Sequence, residues 1–260
     1  HHPSRPVGET TTITHHQYNQ PTNTTNTTNT TTTMSDTSPS TSNHALRQIP
    51  IVCPGHTRPL AELEFCAVHD RDETRTFLVS ACHDKMPMLR DAATGDWIGT
   101  FVGHKGAVWS CKLDPLGLLA GTASGDFSVR VWDAITGATL FTFQHKHIVK
   151  TVDFSSDSKR LATGGHEGIL RVYDLQQPNR DPIMIPQSSE TKVQITKCLW
   201  LDKSTVLAAG SDGMIRFWDV DASDNGKLLR TLSVAAQVRD MELKDVPGLG
   251  IILTVASGDK

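Results

Sequence analysis

The sequence has few cysteines, no long apolar run and no excess of basic charge. Its five cysteines are widely scattered and form no Cys-x-x-Cys pair, so a zinc site is not expected and the thiols are interpreted as reduced core or near-core groups. No run of about 18 apolar residues occurs, so no membrane-spanning helix is predicted. The net charge of −3 argues against a dedicated nucleic-acid-binding protein, which typically shows a basic excess.

Residues 1–44 differ in composition from the rest of the chain. Thr and Asn dominate between Pro21 and Thr33, and apolar side chains are rare throughout the segment. Such a segment cannot bury enough surface to offset the entropy lost on ordering, so we predict that it is disordered. Its Asn-Thr-Thr triplets match a glycosylation sequon, but without an upstream apolar signal region we interpret them as compositional.

A repeat dominates the remaining sequence. Its second copy is the clearest and contains Gly103-His104, Gly125-Asp126 and Trp132-Asp133. In four copies an acidic turn residue is followed seven positions later by a closing aspartate: Asp84 and Asp91, Asp126 and Asp133, Glu167 and Asp174, and Asp212 and Asp219. The spacing of 41 to 45 residues between successive turn acids is typical of the four-stranded blades of a β-propeller.

We therefore predict an all-β fold, a WD-repeat β-propeller with about four and a half blades of a probable seven. The blades are expected over residues 45–97, 98–139, 140–182 and 183–227, with a partial fifth over 228–260. Short apolar segments such as Leu118–Thr122 and alternating segments such as Ser128–Trp132 are the expected strands. Leu46–Val52 is expected to be an outer strand without a partner, and an open ring of this kind would expose strand edges.

The repeated polar residues have a predicted structural role. In such propellers a His, a strand Ser or Thr, the turn acid and a Trp form a buried hydrogen-bonded chain, because buried polar groups need partners. The predicted sets are His56, Ser80 and Asp84 with Arg90 in the Trp position; His104, Thr122, Asp126 and Trp132; His145, Thr163, Glu167 and Tyr173; and Asp212 with Trp218. The fourth set lacks a His and has Ala208 in place of the hydroxyl residue, so we expect its blade to be the loosest.

These sets also bear on catalysis. A Ser-His-Asp group suggests a hydrolase, but its recurrence at fixed blade positions favours a structural role. The sequence contains no nucleophile elbow, P-loop or glycine-rich dinucleotide fingerprint. His145-Lys146-His147 is not interpreted as a metal site, because in an extended strand the two imidazoles point to opposite faces. We expect no enzymatic activity, no catalytic residue, no cofactor and no metal.

Several sequence runs are more specific than the repeat. TGDWIGTFVGHKGAVW over 94–109 and HKHIVKTVDF over 145–154, together with Gly55–Pro59 and Pro87–Arg90, resemble the family of serine/threonine kinase receptor-associated proteins, also called unr-interacting proteins. Arg90 is part of that match. Subunit i of translation initiation factor 3 shares the opening Gly-His-Thr-Arg and remains the alternative.

The resemblance implies a non-enzymatic adaptor in the cytoplasm and nucleus. Family members associate with the survival-of-motor-neuron (SMN) complex, which loads Sm proteins onto spliceosomal RNAs, with an RNA-binding translation regulator, and with receptors of the transforming-growth-factor-β class. The Thr/Asn tract suggests a simpler eukaryote, which favours a role in RNA metabolism and mRNA splicing over the receptor role. Contact with RNA itself would be mostly indirect.

The end face of the ring is where such a scaffold is expected to bind partners. The candidate residues follow each Gly-His or precede each turn acid: Arg58, His83, Lys105, Trp109, Lys146, Lys150 and His166. Trp and Arg are the usual interface anchors, so Trp109 and Arg58 are the strongest candidates, although packing between blades would explain Trp109 equally well. Direct RNA binding by the three lysines is a second hypothesis and would weaken steeply with salt.

Overall fold

The computed structural model describes residues 51–70, 73–188, 192–222, 226–234 and 236–258, and this part of the chain forms five antiparallel sheets. The first sheet contains β1 (Leu60–Asp70), β2 (Glu73–Cys82), β3 (Met88–Asp91) and β4 (Trp97–Thr100). The second contains β5 (Val108–Leu113), β6 (Leu119–Ser124), β7 (Ser128–Asp133) and β8 (Thr139–Gln144). The third contains β9 (Val149–Phe154), β10 (Arg160–Gly165), β11 (Ile169–Asp174) and β12 (Ile183–Pro186).

The fourth sheet contains β13 (Ile195–Trp200), β14 (Thr205–Gly210), β15 (Met214–Asp219) and β16 (Lys227–Ser233), and β17 (Val238–Val246) pairs with β18 (Gly250–Ser257). Within each sheet the strands are paired in sequence order, and the first strands of successive sheets contact one another. This arrangement confirms the predicted all-β propeller fold as part of a ring. No helix in the described part is long and apolar enough to cross a membrane.

The sheets are offset from the repeat boundaries expected from the sequence. The strands β4, β8, β12 and β16 complete their own sheets, whereas the expected boundaries at 97, 139, 182 and 227 assign most or all of each to the next blade. The reason is the tight turn after each closing aspartate. Thr94-Gly95 and Thr136-Gly137 join the third strand to the fourth strand of the same sheet, so this turn lies inside a blade.

The closing aspartates stabilise these turns. Asp133 Oδ1 accepts the backbone N–H groups of Ile135 and Thr136 at 2.9 and 2.8 Å. Gly137 follows with φ +73°, a conformation that glycine adopts without steric cost. In the first sheet, Asp91 Oδ1 accepts the backbone N–H groups of Ala93 and Thr94 in the same way. These hydrogen bonds hold the pKa of the Asp91 and Asp133 carboxyls below its ordinary value. The closing aspartate of each repeat therefore indicates a turn.

The core lies between adjacent sheets. Trp132 and Val108 are fully buried in one cluster, which joins the first and second sheets. Close approach depends on small residues: a Cβ on Gly121 would lie 3.0 Å from the ring of Phe154 on the next sheet. The alternating strands predicted from the sequence therefore pack face to face, as the strands of neighbouring blades must.

Two expectations need correction. Ile51 and Val52 are not part of a strand, and the rest of Leu46–Val52 lies outside the described residues. All five cysteines are free thiols, but Cys53 is exposed rather than near the core. Burial raises the pKa of the Cys198 thiol to about 12, which keeps it protonated and unreactive.

Candidate partner-binding site

The second blade contains the complete hydrogen-bonded set. His104 Nδ1 lies 2.8 Å from Asp126 Oδ2, and His104 Nε2 lies 2.7 Å from Thr122 Oγ1. The same hydroxyl accepts the indole N–H of Trp132 at 2.8 Å. Asp126 also accepts from the hydroxyl of Ser128 at 2.6 Å. These hydrogen bonds thus join the segment before β5 to β6 and β7, and each of the polar side chains involved has a partner.

The electrostatics of Asp126 follow from these contacts. Burial alone would raise the pKa of its carboxyl, but hydrogen bonds from His104, Ser128 and the backbone N–H of Lys105 outweigh burial and hold the pKa well below its ordinary value. A carboxylate engaged by this many donors has little capacity left to act as a base. The arrangement stabilises the blade and has no free nucleophile.

In the first blade an arginine replaces the tryptophan. His56 still bridges Asp84 and Ser80, at 2.8 and 2.7 Å. Arg90 is almost fully buried and donates to the backbone carbonyls of Pro54 and Gly95, the second at 3.1 Å. It therefore ties the incoming segment to the turn before β4 instead of reaching the Ser80 hydroxyl.

The third blade has a looser set. Thr163 Oγ1 and Tyr173 Oη each lie 3.3 Å from His145 Nε2, and Glu167 is 3.8 Å from His145 Nδ1. Glu167 is engaged instead by Arg171, at 2.6 Å. Burial, with a smaller effect of Arg171, lowers the pKa of His145 to about 3, so this imidazole is neutral at physiological pH.

The fourth blade does not form a hydrogen-bonded chain. Asp212 pairs with Arg216 at 2.5 Å. The buried Nε1 of Trp218 has no hydrogen-bond partner among the described residues, so Trp218 does not belong to a set as the sequence had suggested. Loss of the hydroxyl at Ala208 has left a donor unsatisfied, a feature that costs about 1–3 kcal/mol.

Restoring the hydroxyl should stabilise this blade. Ala208 occupies the β14 position that corresponds to Thr122, since both lie four residues before the turn acid and pair with an arginine. We expect Ala208→Ser to raise the free energy of unfolding by about 1 kcal/mol, because the hydroxyl can accept from Trp218 Nε1. Thermal unfolding will measure the change. Ala209→Ser, equally buried on the same strand, is the control and should destabilise; destabilisation by both substitutions would contradict the prediction.

One group has the composition of a metal site. Ligand atoms of His56, Cys82 and Asp84 lie within 4.8 Å of one another. Both nitrogens of His56 are already hydrogen-bonded, and Cys82 Sγ donates to the carbonyl of Arg58 at 3.1 Å. Because these contacts account for the proximity, the group supports no metal function.

A β-bulge recurs in the first strand of all five sheets. In each, two residues of the first strand separated by one position face consecutive residues of the second strand, so the residue between them is bulged. The bulged residues are Ala61, Trp109, Lys150, Thr196 and Arg239. All five line a single cavity of about 410 Å³, which we call the channel mouth. Bulges reorient side chains at the rims of β structures, and here they direct one residue per sheet to a common site.

Trp109 and Lys150 are in direct contact at the channel mouth. The Lys150 ammonium lies 2.9 Å from the centroid of the Trp109 ring, a cation–π arrangement. The ring of His83 meets Trp109 edge-on, with centroids 4.5 Å apart. Trp109 is half-buried at this position, so it has both packing contacts and a surface open to a partner. Burial lowers the pKa of Lys150 to about 8.

The other candidate residues lie outside the channel mouth. Arg58, Lys105 and Lys146 are exposed, and the backbone N–H groups of the two lysines donate to the turn acids of their blades. His166 packs against His147, with ring centroids 5.2 Å apart. Lys105 and Lys146 do not line the cavity that contains Lys150, so the structure does not bring the three lysines together at one site.

Below the mouth the first strands carry charged residues that the sequence patterns did not reveal. Lys197 pairs with Glu62 and lies 2.8 Å from Asp240, and Lys112 lies 2.5 Å from Glu64. The cavity between the first strands has a volume of about 550 Å³. Burial raises the pKa of Asp153, which also lines it, to about 6. The signal for these residues was their position, two or four places after the residue that opens each first strand.

Adjacent first strands are joined by a repeated hydrogen bond. The residue after each bulge uses its side chain to accept a backbone N–H from the next first strand. The pairs are Glu62 with Cys111 at 3.0 Å, Ser110 with Val152 at 3.3 Å, and Thr151 with Cys198 at 3.0 Å. Lys197 occupies the next position and cannot accept a hydrogen bond. Its ammonium pairs instead with Glu62 and Asp240, which links the first, fourth and fifth sheets.

Comparison with known proteins identifies the same repeats in the sequence. Residues 95–133, 137–174 and 185–219 match the family model for the WD domain, G-beta repeat. A serine-threonine kinase receptor-associated protein of Gallus gallus is 44% identical over 214 residues, which cover 82% of this chain and 58% of that protein. The Homo sapiens protein of the same name is 48% identical over 175 residues, which cover 67% of this chain and 48% of that protein.

A lower similarity connects the chain to another group. Eukaryotic translation initiation factor 3 subunit I of Lodderomyces elongisporus is 27% identical over 213 residues, which cover 76% of this chain and 58% of that protein. The chain spans about half the length of the curated relatives it matches. The repeats and sheets define a WD-repeat β-propeller protein. Within that class the chain is a homologue of the serine-threonine kinase receptor-associated proteins.

Proposed function

We propose that this chain is a non-enzymatic scaffold that binds other proteins at the channel mouth. The contact between Trp109 and Lys150 carries the proposal, because it presents an aromatic ring and a cation together at a concave site. Tryptophan is enriched among residues that dominate binding energy. In the second blade, by contrast, the histidine, hydroxyl and acid that resemble a catalytic group are engaged in hydrogen bonds between strands.

We further propose that the scaffold acts in RNA metabolism, in the cytoplasm and nucleus. Its partners would be components of SMN-linked Sm protein assembly and an RNA-binding regulator of splicing or translation, with RNA itself bound mostly indirectly. Homology to the kinase receptor-associated proteins supports an adaptor role, and the name of those relatives also leaves a receptor kinase as a partner. A role like that of initiation factor 3 subunit I is the second candidate and has the support of the 27% match.

Affinity capture with the tagged protein tests both proposals. We expect Trp109→Ala to reduce recovery of the specific partners by about tenfold or more, because truncating a central aromatic anchor typically costs at least about 2 kcal/mol. Trp97→Ala is the matched control, since Trp97 is exposed on β4 and does not line the channel mouth.

The identity of the captured proteins separates the pathways. Sm-assembly factors would support the RNA role, a receptor kinase would support the receptor role, and initiation factor 3 subunits would support the alternative. Equal recovery by the wild type and Trp109→Ala would show that the channel mouth is not the binding surface.

A further inference from the structure

The Lys150 ammonium is incompletely satisfied. It is half-buried against the face of Trp109, yet it makes no hydrogen bond or ion pair with the residues that the structure describes. A ring face replaces only part of the hydration that an ammonium loses, and its N–H donors remain available on the side away from the ring. Those donors belong to a residue that lines the channel mouth, so a ligand entering this cavity can reach them.

The neighbourhood of Lys150 is positively charged. Burial and then the nearby charges of Lys150, His147 and Lys192 lower the pKa of His166, so Lys150 and Lys192 both lie near this imidazole. The acids that line the same cavity, Glu62 and Asp240, are both paired with Lys197. The mouth therefore has a cation without a counter-ion beside acids that already have one.

We propose that Lys150 and Trp109 form a recognition site for a carboxylate side chain, supplied by an acidic peptide segment of a partner protein. The carboxylate accepts hydrogen bonds from the Lys150 ammonium, and the aliphatic stem of the incoming residue packs on the exposed part of Trp109. This inference rests on the proposed scaffold function and specifies the chemistry of the partner.

The cavity favours a peptide over a nucleic acid. Besides the charged groups, Leu60, Ala61 and Leu63 line it, and these apolar side chains suit the methylene groups of a glutamate. A volume of about 410 Å³ accommodates one or two side chains. A peptide can present one carboxylate to Lys150 with apolar groups beside it, whereas a polynucleotide carries a phosphate on every nucleotide and suits these apolar residues less well.

Fluorescence anisotropy tests the site directly. The probes are a labelled peptide with several glutamates separated by glycine and serine, the same peptide with glutamine at each glutamate, and an RNA oligonucleotide of equal net charge. We expect the wild type to prefer the glutamate peptide. Lys150→Met should weaken that binding by about tenfold or more, because it removes charge-assisted hydrogen bonds while keeping the stem over Trp109. Lys159→Met, whose residue lies on the turn between β9 and β10, should bind like the wild type.

A second measurement does not depend on a charge-removing variant. Titration of the wild type with the glutamate peptide should change the tryptophan emission, and Trp109→Phe should lose that change. Equal affinity for the glutamate and glutamine peptides, unchanged binding by Lys150→Met, or preferential Lys150-dependent binding of the RNA would each overturn the inference. If Trp109→Ala abolishes partner capture while the peptides fail to bind, the scaffold proposal stands and the carboxylate site is wrong.

Discussion

Replacing Thr122 with valine should lower the free energy of unfolding by about 2–4 kcal/mol. Valine has nearly the shape of threonine and suits a β-strand, so the substitution creates little cavity and isolates the loss of the hydroxyl. That hydroxyl serves both His104 Nε2 and Trp132 Nε1. Valine would leave Trp132 Nε1 without its acceptor and His104 Nε2 without its hydroxyl partner. Both groups are buried, and an unsatisfied buried polar group costs about 1–3 kcal/mol.

Chemical denaturation of the two proteins will measure this loss. Thr142→Val is the matched control, since Thr142 is exposed on β8, and it should change the stability by less than about 0.5 kcal/mol. If Thr122→Val unfolds at the same denaturant concentration as the wild type, the hydrogen-bonded chain of the second blade does not stabilise the fold.

The repeat spacing predicted the fold well because it marks turns. The seven-residue interval from turn acid to closing aspartate corresponds to one strand with the turn on either side, so it locates β3, β7, β11 and β15. It could not locate the partners of Arg90, because backbone carbonyls have no sequence signature. It also missed the unsatisfied Trp218, because the predicted set kept this indole although Ala208 offers it no acceptor.

The channel mouth was only partly predictable. Trp109 and Lys150 were recognised by their distance from the blade histidines His104 and His145, but nothing in the sequence indicates that a bulge places them in one cavity. In a bulge, two residues of one strand lie opposite one residue of its partner strand. The hydrophobic pattern of these strands is compatible with the pairing register with or without the bulge. Arg239 was therefore missed, although it occupies the same position in the fifth sheet.

The buried charges below the mouth were missed for a related reason. Alternating acids in β1 look like the exposed face of a strand, and the side chain of Glu62 is nevertheless only 10% exposed. Periodicity describes one strand at a time, whereas the burial of Glu62 arises from strands of the fourth sheet across the cavity. Such long-range convergence becomes visible only in the folded chain.

Lys197→Met should destabilise the protein strongly, by about 3–5 kcal/mol, because removing one partner leaves a buried charge uncompensated. Nearby Glu62 and Asp240 raise the pKa of Lys197 despite its burial, so the lysine is charged in the folded protein. Asp240 is largely exposed and can be solvated, but Glu62 cannot. The cost therefore arises mainly from Glu62. Thermal and denaturant unfolding will measure it, with Lys227→Met on the exposed start of β16 as a control of small effect.

The origin of that cost can be tested by removing the acid as well. Glu62→Gln keeps an acceptor for the backbone N–H of Cys111 but has no charge. The double variant Glu62→Gln with Lys197→Met should therefore be more stable than Lys197→Met alone, because no buried charge is left unpaired. Additive losses would mean that the two residues act independently. In that case the first and fourth sheets are held together by packing, and the ion pair between Lys197 and Glu62 contributes little to joining them.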